Sequence, residues 1–259
     1  GIRMAGGLAS GSGRIAKRLA AAELGSLLGV ISRRVLGQYE LVLPSSERGD
    51  TVFLVAPNIF ALERNNQFRP DEFRFWLALH ESAHRLQFVG VPWMQDYFFG
   101  LVKGLIANAE PEKGRLKRVA GELRKASSQG RPIIGDSGLL GLMASPSQRE
   151  QLDKVQALMS LLEGHGHVVM DRIGARVLVT QKRMAGLIKR RRQDPRMAAF
   201  LRITGMEMKM RQYELGEKFV LGVEEVAGWR ALDLAWQSPE TLPTIAEIED
   251  PPLWLARVG

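Results

Sequence analysis

Apolar residues recur at helical spacing along most of this chain, and the breaks between the runs lay out its elements. From Arg14 to Leu36, the positions Ile15, Leu19, Leu24, Leu27, Leu28, Ile31 and Val35 mark one face of a helix that Gly37 would stop. Two short β-prone runs follow, Tyr39–Leu43 and Thr51–Val55, joined by the turn-rich stretch Pro44-Ser45-Ser46-Glu47-Arg48-Gly49-Asp50. Asp71 is placed to cap a helix from Glu72 to about Phe88, which Gly90 and Pro92 close. Further helices are expected within Trp93–Asn108 and, more polar, within Pro111–Ala126, and residues 127–138 read as a loop. Ser147 can cap a long helix reaching about Ile173, before Gly174. Helical patterning resumes over Thr180–Arg192, breaks at Pro195 and returns from Met197 to Val226, with Gly205 a candidate interruption. The tail, rich in Pro and Trp, reads as an irregular strap. With no repeats and no linker in view, the expectation is one mainly α domain over 1–259 with a small β-hairpin or β element, its first thirteen residues a flexible start.

Composition adds exclusions more than assignments. At 259 residues, 45% hydrophobic and 25% charged, the chain can bury a sizeable core. It has no cysteine, which removes disulfides, thiolate zinc sites and thiol nucleophiles together and fits a reducing compartment. Its longest apolar stretches, such as Phe219–Val223 and Leu105–Ala109, are far too short to cross a bilayer. Gly1–Gly13 lack the apolar core of a secretory signal, so no membrane partner and a cytoplasmic location are expected. The net charge of +8 hints at nucleic acid, but its distribution argues against it. Between Lys182 and Arg202 stand eight basic residues and one acidic residue, Asp194, which leaves the rest of the chain close to neutral. One basic run without interleaved aromatics reads as a solvated helix end.

The candidate chemistry lies in His80-Glu81-Ser82-Ala83-His84, an HExxH motif inside the helix expected over 72–88. Residues four apart lie one turn above each other on one helix face, so both imidazoles can reach one metal ion. Glu81 can then stand beside a metal-activated water as general base without being a ligand. Zn2+ suits the arrangement because it lowers the pKa of water and polarises a carbonyl oxygen. Phe73, Phe75, Trp76, Leu77, Leu79, Leu86 and Phe88 make this helix apolar on most sides, so its polar residues need a reason to be there.

The other two of the four histidines fall in Leu161-Leu162-Glu163-Gly164-His165-Gly166-His167, within a second expected helix. A catalytic zinc takes three protein ligands and keeps one position open, so the third ligand is sought here. Glu163 and His167 share a face, whereas His165 lies about 200° around from Glu163. Periodicity leaves both Glu163 and His167 open. Gly164 and Gly166 are each unfavourable in a helix interior by roughly 1 kcal/mol relative to Ala, which suggests close approach of another backbone or of substrate.

Three segments in order, FRFWLALHESAHRLQF, SLLEGHGHVVMD and KMRQYELGEKFV, resemble the zincin-like metallopeptidase family associated with deazaflavin-coenzyme biosynthesis. The similarity runs from about Leu24 to the tail TLPTIAEIEDPPLWLARV. It implies a mostly helical zincin fold and a hydrolase, and supplies no substrate. The pattern is also similar to gluzincins, in which a Glu on a second helix completes a His-His-Glu zinc site. That resemblance assigns the third ligand to Glu163, and a His-His-Glu set would leave the zinc complex one positive charge rather than two. Where gluzincins often have an Asp four residues after the Glu, this chain has His167, and Asp171 lies a further turn along. A metzincin pattern fails, because it requires Gly and His where Gln87 and Gly90 stand. His80, His84 and Glu163 are thus the expected metal ligands and Glu81 the general base. His167, His165 and Tyr213, in that order, are candidates to stabilise the oxyanion. The expected substrate is a peptide or small amide. A zinc hydrolase of a non-peptide substrate and a non-catalytic binding protein are the alternatives.

Overall fold

The computed structural model describes residues 51–107, 146–192 and 207–259, with Gly25, Gly29, Ser32, Arg33 and 35–39 ahead of them. The architecture is mainly α. Strand β1 (Gly37–Tyr39) pairs antiparallel with β2 (Val52–Leu54), Gln38 opposite Phe53. Among the described residues, six helices of eleven residues or more follow: α1 (Ala56–Asn66), α2 (Pro70–Val89), α3 (Met94–Ala107), α4 (Pro146–Val177), α5 (Gln181–Arg192) and α6 (Glu207–Ala227). After them come 3-10 segments at Trp229–Trp236 and Pro239–Thr241, then the short helices α7 (Ile245–Glu249) and α8 (Pro251–Val258). No helix among the described residues is long and apolar enough to cross a membrane.

Several boundaries differ from expectation for identifiable reasons. Gly37 does not stop a helix; it opens β1, and the ladder is extended by the Val55 amide donating to the Leu36 carbonyl at 2.8 Å. Helix α1 was not expected from the pattern, because its buried stripe is only Ile59, Leu62 and the charged Glu63. Pro57 at its start needs no amide partner. Gln67, with φ of 51°, ends it by turning left-handed and returning its amide to the carbonyls of Arg64 and Glu63. The buried Glu63 is tolerated because Arg74 meets it with a two-pronged hydrogen bond, 2.8 and 2.9 Å. Helix α2 starts earlier than expected, at Pro70, so Asp71 is no cap. With Glu72 it sits in the first turn, facing the positive end of the helix dipole.

Helix α4 runs through Gly174 and does not stop there. A side-chain carbon at Gly174 would lie 3.1 Å from Gln181 Cγ and 3.8 Å from Trp76 Cδ1, so the glycine serves packing between helices. The turn into α5 is fixed from α2: Glu72 accepts from the Thr180 amide at 2.7 Å and from its hydroxyl at 2.6 Å. The tail is ordered rather than an irregular strap. Pro239, Pro251 and Pro252 occupy first-turn positions, where a missing amide costs nothing, and Pro243 stands just ahead of the Thr244 N-cap. Thr244 and Glu247 form a capping box, Arg257 forks onto Glu247, and the fully buried Trp254 donates to the Thr241 carbonyl at 2.8 Å. The polar helix expected at 111–126, the loop at 127–138, the break at Pro195 and the interruption near Gly205 lie outside the described residues. So does most of the helix expected over 14–36.

The apolar interior forms two clusters. One joins α3, α4, α6 and the tail through residues such as Met94, Leu161, Phe219, Val223, Leu232 and Trp254. The other gathers Ile59, Leu62, Phe68, Phe73, Trp76, Leu77, Met170 and Met184 from α1, α2, α4 and α5. Helix α2 reaches both, with Phe73, Trp76 and Leu77 in the second and Phe88 in the first. The turns between carry Glu81 and Gln87, with His80 and His84 half-buried beside them, into the body of the protein.

Candidate metal centre

Helix α2 places His80 and His84 one turn apart, with ring centroids 4.5 Å from each other and planes near perpendicular at 80°. Helix α4 lies against this face. Gly166 packs on Ala83 and the His84 ring, its missing side-chain carbon 3.4 Å from His84 Cε1. That register brings the buried Glu163 between the two imidazoles. His84 Nε2 lies 3.2 Å from His80 Nε2 and 3.4 Å from Glu163 Oε2, and His80 Nε2 lies 3.8 Å from the same oxygen. Ligands at roughly 2.0–2.2 Å around a tetrahedral ion stand about 3.3–3.6 Å from one another. Two imidazole nitrogens and one carboxylate oxygen at these separations therefore fit one divalent ion, and they are the group among the described residues that could hold one.

The electrostatics follow from the same closeness. Burial alone would lower the His84 imidazole. The Glu163 carboxylate, by hydrogen bond and by charge, together with Gln87 and the charge of Glu81, holds it above the ordinary value instead. Glu81 is buried beside the two histidines, and strand β1 rests against it. A side-chain carbon at Gly37 would come within 2.6 Å of Glu81 Oε1, so only glycine allows this approach. In sequence Gly37 reads only as a helix stop, because the approach of Glu81 comes from another element.

The histidines of α4 go elsewhere. His165 stacks on Trp229 at 5.5 Å and meets the edge of Trp236 at 5.2 Å. Burial pushes it down to about 4, only partly offset by Asp233, which keeps it neutral at physiological pH. His167 stays outside the convergent group and turns its Nε2 toward Asp171 Oδ2, 3.6 Å away, while its Nδ1 is buried without a hydrogen-bond partner. Tyr213 falls on α6, but its side chain lies outside the described residues. Of the two glycines, Gly164 meets another backbone: a side-chain carbon there would run into Gly216 of α6, and one at Gly216 into the Ser160 carbonyl.

Gln87 is the residue that sequence reasoning passed over. It lies three positions after His84 on the same face, and its oxygen stands 3.0 Å from His84 Nδ1. The signal was there in the stripe 80, 84, 87, but a glutamine on a helix is usually solvated.

The family model for zincin-like metallopeptidases matches residues 3–255. No curated protein matches the chain. Among solved structures, the chain is similar to a crystal structure from Chloroflexus aurantiacus whose description proposes a hydrolase with a novel fold. The two are 30% identical with a TM-score of 0.67, over 96% of this chain and 71% of that one.

Proposed function

Because the chain belongs to the zincin-like metallopeptidase family, we propose that it is a zinc-dependent hydrolase, a metallopeptidase acting on peptide or small amide substrates. The observation that carries this reading is the convergence of His80 Nε2, His84 Nε2 and Glu163 Oε2, with Glu81 buried beside them. His80, His84 and Glu163 would hold the zinc. When bound, the ion polarises the scissile carbonyl and lowers the pKa of water toward neutrality.

The chain's own residues supply the rest. Glu81, one position after the first histidine, takes the proton from the attacking water and later delivers it to the leaving amine. Its burial keeps bulk water from competing for that proton. Glu163 offsets part of the metal's charge and fixes the spacing of the two imidazoles. His167, on the Glu163 face of α4 with its Nε2 3.6 Å from Asp171 Oδ2, is the next group able to donate to the carbonyl oxygen as charge develops there. Tyr213 is a further candidate for that role.

The test pairs metal analysis of purified protein with a peptide-library cleavage screen on wild type and Glu81→Gln. Close to one zinc per chain, with cleavage by wild type and not by Glu81→Gln, is the expected result. Equal cleavage by both would place the chemistry elsewhere. Zinc bound at full stoichiometry with no peptide cut would redirect the search to amides that are not peptides.

A further inference from the structure

Gln87 is only 5% exposed, and both ends of its amide have partners. Its nitrogen lies 2.9 Å from the Leu162 carbonyl oxygen and 3.2 Å from His165 Nδ1, and its oxygen lies 3.0 Å from His84 Nδ1. These partners allow one orientation. A backbone carbonyl can only accept, so the group facing Leu162 must be the amide nitrogen. A flipped amide would set two oxygens against each other at the same separation, buried, with no proton between them.

With the nitrogen fixed, the oxygen must face His84, and an amide oxygen can only accept. His84 Nδ1 therefore carries a proton, and in the neutral imidazole that a metal requires the lone pair falls on Nε2, which faces His80 Nε2 and Glu163 Oε2. The second amide hydrogen is directed at His165 Nδ1, whose ring is held between Trp229 and Trp236. Orientation thus passes from the segment 229–236 and the backbone of α4, through one buried amide, to a nitrogen of the candidate metal centre.

We propose that Gln87 is a positioning residue that locks His84 into its metal-accepting tautomer, with the Leu162 carbonyl and His165 as the anchors that stop the amide from flipping. The inference rests on the reading of His80, His84 and Glu163 as a metal centre. Metal-ligating histidines commonly donate their second ring N–H to such a partner, and losing that partner typically weakens metal binding about 10–100-fold.

The experiment measures zinc affinity by chelator competition, metal-free thermal stability, and the imidazole nitrogen spectrum of zinc-loaded protein, for wild type, Gln87→Leu and Gln87→Glu. In wild type, His84 should show a protonated, slowly exchanging Nδ1. Gln87→Leu removes the acceptor, and zinc affinity should fall about 10–100-fold with that resonance lost to exchange. Gln87→Glu keeps an acceptor for His84 while removing the donors to Leu162 and His165. Its zinc affinity should stay within about threefold of wild type although its metal-free stability falls. A merely structural role would make affinity follow stability in both variants. Wild-type affinity in Gln87→Leu, an equal loss of affinity in Gln87→Glu, or a freely exchanging His84 Nδ1 in wild type would overturn the inference and leave the metal centre standing. Failure of wild type to bind zinc would overturn both.

Discussion

The four histidines sit on two helices that face each other, and the pairs behave in opposite ways. On α2, His80 and His84 are four residues apart, and their nitrogens meet at 3.2 Å. On α4, His165 and His167 are two apart and diverge, one into the aromatic grip of Trp229 and Trp236, the other toward Asp171. A spacing of four stacks side chains on one face, while a spacing of two turns them about 200° from each other. Helix α4 therefore gives the centre a carboxylate, Glu163, and uses one imidazole for support at a distance. The same residue type is a ligand candidate on one helix and an anchor on the other, and the backbone period separates the two.

The sharpest way to break that comparison is to remove one histidine from each helix. His84→Ala should weaken zinc binding by well over the roughly 100-fold that loss of an outer-shell partner costs. Glu163→Ala should do the same, and His167→Ala should keep the metal and lose turnover. Equilibrium dialysis against zinc checks all three, and loss of metal in His167→Ala would erase the contrast between the helices. Glu81→Gln should retain zinc while hydrolysis falls about 10²–10⁴-fold, measured as kcat on any cleaved substrate.

A smaller effect separates the two glycines around His165. Gly164→Ala forces a carbon into the Gly216 backbone and should cost about 1–3 kcal/mol. At roughly 2–4 °C per kcal/mol for a chain of this size, the melting temperature should drop several degrees. Gly166→Ala meets only ordinary contact with the His84 ring and gains helix propensity, so its stability should stay within about 1 kcal/mol of wild type. Equal melting shifts for the two would mean that the helix crossing yields more than its geometry suggests. The mildest change is His165→Phe. It keeps the aromatic sandwich, and the Leu162 carbonyl still holds the amide, so chelator competition should show less than about a tenfold loss of zinc affinity.

Periodicity made the long helices legible, because α2, α3, α4 and α6 bury regular stripes. It also placed both α2 histidines on one face. The same logic stalled between Glu163 and His167, which share a face of α4. The register of α4 on α2 separates them, Gly166 against Ala83 and Gly174 against Trp76, and no single-helix pattern contains a register. Helix α1 was hidden because a charged residue, Glu63, fills part of its buried stripe and is made tolerable only by Arg74, eleven positions away. The tail misled because prolines that open short helices look in sequence like prolines that prevent them. Gln87 was hidden for a related reason: a glutamine on a helix gives no sign of burial until its partners, Leu162 and His165, arrive from another helix.

The crossing of α4 and α6 has a consequence for how such a protein can change over generations. Most core contacts drift by compensation, one side chain growing as its neighbour shrinks. At Gly164 and Gly216 two backbones touch with no side chain on either, so neither partner has anything left to give up. Drift at this point has no intermediate step short of moving a helix. The contact thereby holds the distance between these two helices, and Glu163, one residue from it, is expected to keep its place when side chains elsewhere in the chain are exchanged.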